Sequence, residues 1–338
     1  MAASMTPLEF SLLNDFQRGF PLASRPYEVI ARKVAVDEKT VIDTLAAMQQ
    51  RGVVSRVGAV FRPNVVGVSA LAALAVSPDR LEEVARCVSA FPTVNHNYQR
   101  EHVYNLWFVV AAPSLDELQS SLAEIEGRCR SGKVLVLPLV EQFHIDLGFE
   151  LDGNASPYFR HGAPMHDEVQ AVVLTPTQRN LMAALQHGLP LVSRPFAELG
   201  CAEVDALDLL GQWVDQGVIR RMGVVVRHHE LGYTANAMVV WNVPDDIVGP
   251  IGRGIASSKR VSLCYRRPRR MPDWSYNLFC MIHGKDRSDV EERIRALTLS
   301  CGLGGFDHQV LFSVRRFKQC GARYVNDALL AAERGTLS

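Results

Sequence analysis

One stretch of the chain, GFPLASRP at Gly19–Pro26, occurs again as GLPLVSRP at Gly188–Pro195. A second landmark, GVVSRVG at Gly52–Gly58, occurs again as GVIRRMG at Gly217–Gly223. Two landmarks repeated in the same order indicate that one structural unit is present twice. The chain has 338 residues, which is long enough for several domains. We therefore expect a tandem repeat with two similar halves.

Each half begins with a pattern that is typical of a winged helix-turn-helix domain. In the first half, helices are predicted over 7–16 and 37–50, with a shorter helix between them that begins at Pro26. Gly52 ends the third helix, and the alternating residues of 53–61 predict a β wing. The remainder of each half predicts the order βαββαβ, which is the ferredoxin-like arrangement.

The predicted elements place the chain in the α+β class. Strands are expected at 71–76, 94–100, 104–111, 134–145, 235–242, 261–266, 276–282 and 306–314. Helices are expected at 79–91, 114–130, 202–216, 247–258 and 289–300. The predicted domains are winged helix-turn-helix domains at 1–66 and 171–231, ferredoxin-like modules at 67–152 and 232–330, and a linker at 153–170 that is rich in turn-forming residues. This layout resembles that of the Lrp/AsnC family.

The charge distribution argues against nucleic acid as a partner. Lys and Arg together number 36, as do Asp and Glu, so the formal net charge is zero. The helix at 202–216, which would enter the major groove, carries four acidic residues and no Lys or Arg. Its first-half counterpart carries three acidic residues and one Lys. The arginines of the wings, Arg56, Arg220 and Arg221, are interpreted as solvated.

The composition also bears on location and redox chemistry. The chain contains no run of about twenty apolar residues and no basic segment followed by an apolar one at its N-terminus, so we expect a cytoplasmic protein without membrane contact. Its seven cysteines include no C-x-x-C pair. We therefore expect reduced thiols rather than a disulfide framework or a zinc site.

Three longer strings carry a family resemblance. They are VNHNYQREHVYNLWF at Val94–Phe108, GVVVRHHELGY at Gly223–Tyr233 and CYRRP at Cys264–Pro268. Together with the repeat, they resemble the sirohaem decarboxylases, in particular the fused form that supports haem d biosynthesis in denitrifiers. The resemblance covers about residues 6 to 325.

The resemblance implies a carboxy-lyase that removes carbon dioxide from two acetate side chains of sirohaem and gives 12,18-didecarboxysirohaem. It implies a cavity between the two halves and no required cofactor, since the iron tetrapyrrole is the substrate. In separate-subunit relatives a histidine often precedes the Cys-Tyr of the second-half string, whereas this chain has Leu263 there. A single working site, supplied by the first-half string, is therefore the more economical hypothesis.

Binding sites follow from the chemistry of the substrate. Sirohaem carries eight carboxylates on a flat macrocycle, and the planar guanidinium pairs with carboxylate at two points. The arginine candidates are Arg100, Arg227, Arg266, Arg267, Arg315 and Arg316, with Arg323 as a further one; for each, an ordinary solvated side chain is the alternative. Tyr98 and Tyr265 are candidates for contact with the macrocycle, ahead of Trp107 and Phe279. The arginines are expected to hold spectator carboxylates, because a grip on the departing carboxylate would stabilise the ground state.

Protonation of the new methyl carbon requires an acid, and histidine suits this role. His96 and His102 are the predicted catalytic residues, because both flank the same strand turn and could face one cavity. His144, His228 and His229 are predicted to bind substrate. Ligation of the substrate iron is an alternative role for any of these histidines. The structural histidines are predicted to be His161, His166, His187, His283 and His308.

Two other functions remain open from the residues alone. One is a transcription regulator of the Lrp/AsnC type that senses a small molecule, and the other is a tetrapyrrole carrier without catalysis. Lrp-like modules associate through their sheets, and the two halves can satisfy this pairing within one chain. Further homodimerisation is left open.

Overall fold

The computed structural model describes residues 5–145, 171–227, 233–258 and 260–325. Its helices are α1 (Pro7–Asp15), α2 (Pro26–Lys33), α3 (Glu38–Gln50), α4 (Leu81–Ala90), α5 (Leu115–Cys129), α6 (Pro176–Gln186), α7 (Glu203–Asp215), α8 (Val248–Ser257) and α9 (Arg287–Ser300). Its strands are β1 (Val54–Phe61), β2 (Val68–Leu74), β3 (Val94–Arg100), β4 (Leu106–Ala112), β5 (Leu135–Pro138), β6 (Glu141–Ile145), β7 (Ile219–Val226), β8 (Ala235–Trp241), β9 (Leu263–Arg266), β10 (Leu278–Gly284) and β11 (His308–Gln319).

The two halves begin with the same local signal. Thr6 caps α1 and Thr175 caps α6, each followed by a proline at the first helical position. In both helices the threonine side chain accepts a hydrogen bond from the third backbone N–H, while Glu9 or Gln178 reaches back to the threonine N–H. This capping box satisfies backbone donors that a helix leaves unpaired.

The repeated stretch joins the two halves to each other. The backbone N–H of Phe20 donates to the carbonyl oxygen of Met222 at 3.2 Å, and the N–H of Leu189 donates to that of Val57 at 2.7 Å. Consequently, each copy of the motif is attached to the strand of the opposite half. The strands themselves, β1 and β7, form an antiparallel pair. Each predicted wing strand thus pairs with its counterpart across the halves and not within its own domain.

Gly223 shows how closely the chains approach at this junction. A Cβ atom added there would lie 2.3 Å from the carbonyl oxygen of Gln17, a distance that no side chain could adopt. The next residue, Val224, donates its N–H to the carbonyl oxygen of Phe16 at 2.7 Å. Glycine at this point of the repeat is therefore required by the contact between halves.

The serine of each repeated motif forms a hydrogen bond across this junction. Ser24 donates a hydrogen bond to the carboxylate of Glu203 at the start of α7, and Ser193 donates to Glu38 at the start of α3, both at 3.0 Å. Arg25 pairs with Glu38 and Arg194 pairs with Glu203. The first turn of α3, in the first half, is thus hydrogen-bonded to the second half. The first turn of α7, in the second half, is hydrogen-bonded to the first half.

The ferredoxin-like modules form one sheet with the strand order β5-β2-β4-β3-β11-β8-β10-β9-β6. Each module contributes four neighbouring strands in the order expected for βαββαβ. The halves join where β11 pairs with β3 and where β6 pairs with β9. The predicted pairing of the halves within one chain is therefore confirmed.

The single strand predicted over 134–145 is wrong, because the segment divides at Pro138. β5 pairs with β2 of its own half, whereas β6 pairs with β9 of the other half. Proline has no N–H with which to extend a ladder, and the change of partner follows it directly. In the second half, β11 remains continuous. It pairs first with β8 of its own half and then with β3 of the other half.

Apolar side chains form one core in each layer. The helices α4 and α5 cover one half of the sheet and α8 and α9 cover the other, while the winged helix-turn-helix elements of both halves share a core. Tyr324 and Val325 belong to this shared core, so the chain returns to it after β11. Among the helices of the described ranges, none combines the length and apolar character needed to cross a membrane. The predicted linker, 153–170, lies outside the described residues.

Candidate active site between the two halves

A cavity of about 410 Å³ lies between the halves. The strands β3, β8, β9 and β10 contribute to its walls, as do the wing strands β1 and β7 and the segment that follows β11. Its volume lies within the range of small-molecule sites. Because both halves line it, the site depends on the pairing of the two modules.

Two strands present matching side chains to this cavity. β3 contributes His96, Tyr98 and Arg100. At the corresponding positions, the second half contributes Leu263, Tyr265 and Arg267. Alternate residues of a strand lie on one face, which explains the spacing of two in both sets. Trp107 and Phe279, which face the two tyrosines on the neighbouring strands, also line the cavity.

Arg100 and Arg267 are held in equivalent ways. The Nη1 atom of Arg100 donates to the carbonyl oxygen of Leu311 at 3.0 Å, and that of Arg267 donates to Leu137 at 2.7 Å, each in the opposite half. The guanidinium of Arg267 lies 5.2 Å from the ring centre of Tyr265, and that of Arg100 lies 5.8 Å from Tyr98. The Nε atoms of both arginines are buried and donate no hydrogen bond to a protein atom in the described part of the chain.

Burial sets the electrostatics of these two side chains. It lowers the pKa of Arg100 and that of Arg267 to about 10 in each case, because the charged form loses water. Both remain cationic at neutral pH. Among the described residues, no carboxylate forms an ion pair with either one, and no acidic side chain lines the cavity. A buried charge of this kind is costly unless an anion compensates it.

The wing arginines also line this cavity, which corrects their interpretation as solvated side chains. Arg56 donates to the carbonyl oxygen of Ala59 at 3.1 Å, and burial lowers its pKa. Arg221, its counterpart in the repeat, is only 8% exposed and donates to Gln17. Arg220 donates to the carbonyl oxygen of Ile145. Arginine recurs at the position of Arg56 and Arg221, but the local sequence pattern does not distinguish a buried side chain from a solvated one.

Of the histidines within the described ranges, two line the cavity, one from each half. The Nδ1 atom of His96 lies 3.0 Å from the Oδ1 atom of the buried Asn95, and that of His283 lies 3.0 Å from the Oγ atom of Ser262. His283 was predicted to be structural, and its position in the cavity wall was missed. His283 lies on β10, outside the recognisable strings, so those strings did not point to it.

His102 does not line the cavity. Its Nδ1 atom accepts a hydrogen bond from the N–H of Tyr104, and its ring packs edge-on against the buried Trp274. Burial lowers the pKa of its imidazole. The expectation that His96 and His102 face one cavity is therefore wrong, because the β3–β4 turn directs His102 into the aromatic cluster around Trp274. Its predicted catalytic role stays a prediction that this geometry does not support.

The remaining candidates divide into three groups. Arg227 lines the cavity, and its Nη1 donates to the carbonyl oxygen of Gly52 at 3.4 Å. The candidates that do not line it are His144, Arg266, Arg315, Arg316 and Arg323. Arg315 pairs with Glu82 on the surface, and Arg266 pairs with Asp245. His228 and His229 lie outside the described residues. In the described ranges, no group of His, Cys, Asp and Glu is arranged to hold a metal ion.

Family comparisons agree with the repeat. The model for the AsnC-like ligand binding domain matches residues 66–144 and 230–318. The model for the siroheme decarboxylase NirDL-like HTH domain matches residues 9–54 and 178–220. The predicted fold class, with two copies of a winged helix-turn-helix followed by a ferredoxin-like module, is confirmed.

Individual relatives match over nearly the whole chain. The siroheme decarboxylase NirDL subunit of Paracoccus pantotrophus is 41% identical over 326 residues, which is 94% of this chain and 98% of the relative. The siroheme decarboxylase NirL subunit of Stutzerimonas stutzeri is 46% identical over 43% of this chain and 87% of that subunit. A crystal structure of the siroheme decarboxylase NirDL in complex with an iron-uroporphyrin III analogue superposes with a TM-score of 0.66 at 30% identity, covering 96% of this chain and 97% of that one. The chain therefore belongs to the sirohaem decarboxylase family.

Proposed function

We propose that this protein is a carboxy-lyase that converts sirohaem to 12,18-didecarboxysirohaem in haem d biosynthesis. The observation that carries the proposal is the charge of the cavity. Arg100 is buried in its wall and Arg267 is half-buried there, both as cations without a carboxylate partner in the described part of the chain. A polycarboxylate ligand supplies the missing negative charge, and a related structure binds an iron-uroporphyrin III analogue.

The walls divide naturally into a polar and an apolar part. Arginines contributed by both halves hold the spectator carboxylates, while Tyr98, Tyr265 and the neighbouring aromatic residues contact the face of the macrocycle. The reacting acetates lie against apolar wall and near a histidine. Breaking the bond to the carboxylate moves an electron pair into the conjugated ring, and a less polar environment favours loss of the charge localised on oxygen.

His96 is the proposed proton donor for the carbon left behind. Asn95 accepts a hydrogen bond from Nδ1–H of the imidazole, and the residue lines the cavity. The protonated ring transfers its proton from Nε2 to the methylene carbon, so that a methyl group replaces the acetate. Carbon dioxide leaves and one proton enters, with no net oxidation. The chain needs no further cofactor in this scheme, and the protein acts in the cytoplasm.

Anaerobic incubation of the purified protein with sirohaem, followed by mass spectrometry of the tetrapyrrole, tests the proposal. We expect a product that has lost two molecules of carbon dioxide. Sirohaem that is bound but recovered unchanged would indicate a carrier and contradict the proposed activity. The same incubation with the H96Q variant should bind sirohaem and give little of the doubly decarboxylated product. If bound sirohaem turns over normally in H96Q, the proposed role of His96 fails although the activity stands.

A further inference from the structure

The two halves differ at one position of the cavity wall that bears on the chemistry. In the paired strands, Val109 lies opposite His96, and Met281 lies opposite Leu263. Leu263 thus occupies the second-half place of His96, so that β9 lacks an imidazole there. Both residues line the cavity. Taken alone, this substitution would leave the second half without a proton donor.

The neighbouring strand supplies an imidazole at the same end of the cavity. His283 lies two residues after Met281 on β10, so both side chains lie on the cavity face of the strand. Its Nδ1 atom lies 3.0 Å from the Oγ atom of Ser262, the residue immediately before Leu263. Ser262 in turn donates to the carbonyl oxygen of Met281. The ring is thereby fixed beside Leu263, which occupies the position equivalent to that of His96.

The hydrogen-bond arrangement repeats that of the first half. Asn95 stands immediately before His96 and lies within hydrogen-bond distance of its Nδ1 atom, as Ser262 does for His283. In both halves the residue at the same strand position lies within hydrogen-bond distance of the Nδ1 atom of a histidine that lines the cavity. The difference is only which strand provides the imidazole, β3 in the first half and β10 in the second.

We propose that His283 is a second catalytic residue, positioned by Ser262, which donates the proton for one of the two decarboxylations. The inference rests on the proposed function. After the bond between the methylene carbon and the carboxylate breaks, carbon dioxide leaves with its electron pair retained by the conjugated ring. A new C–H bond then forms with the proton from Nε2 of His283, and water restores that proton. His96 serves the other acetate in the same way.

The test is a time course of mono- and didecarboxylated products with the full-length H283Q variant. Glutamine retains a hydrogen-bonding group near Ser262, and we expect sirohaem to bind as in the unaltered protein. The monodecarboxylated product should accumulate, with the second step slowed on the order of 100-fold, the effect of removing a general acid. H308Q is the matched control, since His308 is an exposed residue of β11 that stacks on Trp241 outside the cavity.

Three further variants distinguish a catalytic role from a structural one. L263H introduced into H283Q returns an imidazole to the position equivalent to His96 and should restore the second step. For Ser262, S262A should slow that step and S262T should preserve it, because threonine keeps the hydroxyl. A purely structural role would not produce rescue by L263H.

The outcomes distinguish this inference from the proposed function. If the unaltered protein does not decarboxylate sirohaem, the proposed function fails. If it does, and H283Q gives the doubly decarboxylated product at the same rate, the role of His283 is overturned alone. Equal slowing of both steps, or loss of sirohaem binding in H283Q, would likewise overturn its assignment as the donor for one acetate.

Discussion

Arg100 of the first half donates a hydrogen bond from Nη1 to the carbonyl oxygen of Leu311 in the second half, at 3.0 Å. The bond spans the seam at which β3 meets β11, so the same guanidinium joins the halves and lines the cavity. Arg267 and Leu137 repeat the relationship at the other seam. The hydrogen bonds that join the two halves therefore also place two cationic side chains in the cavity wall, where they can bind an anion.

Replacing either arginine by methionine should weaken sirohaem binding by about 10- to 100-fold. A hydrogen bond to a charged group contributes about 1.5 to 3 kcal/mol, and each 1.4 kcal/mol is a factor of ten. Methionine fills much of the volume, so R100M and R267M should unfold at nearly the temperature of the unaltered protein without ligand. Absorbance titration with sirohaem and thermal unfolding measure the two effects.

The control for these variants is R315M. Arg315 is exposed and pairs with Glu82 on the outer surface, so its removal should leave sirohaem affinity unchanged. If R315M weakens binding as much as R100M, the effect is one of general surface charge, and the cavity arginines have no special role. Screening by added salt would then reduce binding strongly in all of the proteins.

His96 and His102 make a second comparison. H96Q should reduce turnover by about 100-fold or more while sirohaem still binds, because only the proton transfer is lost. H102Q should retain turnover, since the His102 ring packs against Trp274 and accepts the N–H of Tyr104. Its expected defect is a lower unfolding temperature. Single-turnover kinetics with bound sirohaem separates the two, and a turnover defect in H102Q with an intact fold would restore its predicted catalytic role.

The repeat and the periodicity of the sequence were sufficient to predict the fold, because both depend on local patterns. They were not sufficient to predict which strands pair across the halves. The β1–β7 pair and the division of 134–145 depend on contacts between residues far apart in sequence. Similarly, Arg56 and Arg221 carry the same local pattern whether they are solvated or buried, and only the junction of the halves places them in the cavity.

The site histidines show the same limit. His96 could be found because it belongs to a recognisable string on a predicted strand. His102 belongs to the same string, yet the turn after β3 directs it towards Trp274, which lies far away in sequence. His283 reaches the cavity because β10 lies beside β9, a pairing that the sequence does not specify by itself. Proximity in sequence therefore predicted the place of one histidine in the cavity wall and misplaced another.

The helix-turn-helix elements should not bind DNA. The first turn of α7 is tied to the other half through Glu203, which accepts from Ser24 and pairs with Arg194. The helix also carries acidic residues and no Lys or Arg. Fluorescence anisotropy with a labelled promoter fragment at low salt should show no saturable binding. Tight binding that weakens steeply with added salt would contradict this expectation and favour a regulator.

Compared with the first half, the second half contains a basic insertion before Tyr276, with Arg266, Arg267, Arg269 and Arg270. Asp245 forms ion pairs with two of these arginines, Arg266 and Arg269. Arg269 is the main cause of the lowered pKa of this carboxyl group, and Arg266 and Asn277 also donate hydrogen bonds to it. A carboxyl group whose pKa is lower in the folded than in the unfolded protein stabilises the fold above its unfolded pKa of about 4. That contribution is lost as the pH falls through the lower, folded value.

Replacing Asp245 by asparagine should therefore lower the unfolding temperature at neutral pH, and the difference from the unaltered protein should shrink as the pH falls below about 4 towards the lowered pKa of the folded carboxyl group. The insertion continues from Arg266 directly into Arg267, so the same variant should also bind sirohaem less tightly at neutral pH. Thermal unfolding from acid to neutral pH measures the first effect, and absorbance titration measures the second. D43N is the control, because Asp43 pairs only with its helix neighbour Lys39 among the ion pairs of the described residues. If D245N and D43N behave alike at every pH, the network around Asp245 does not hold the cavity arginine in place.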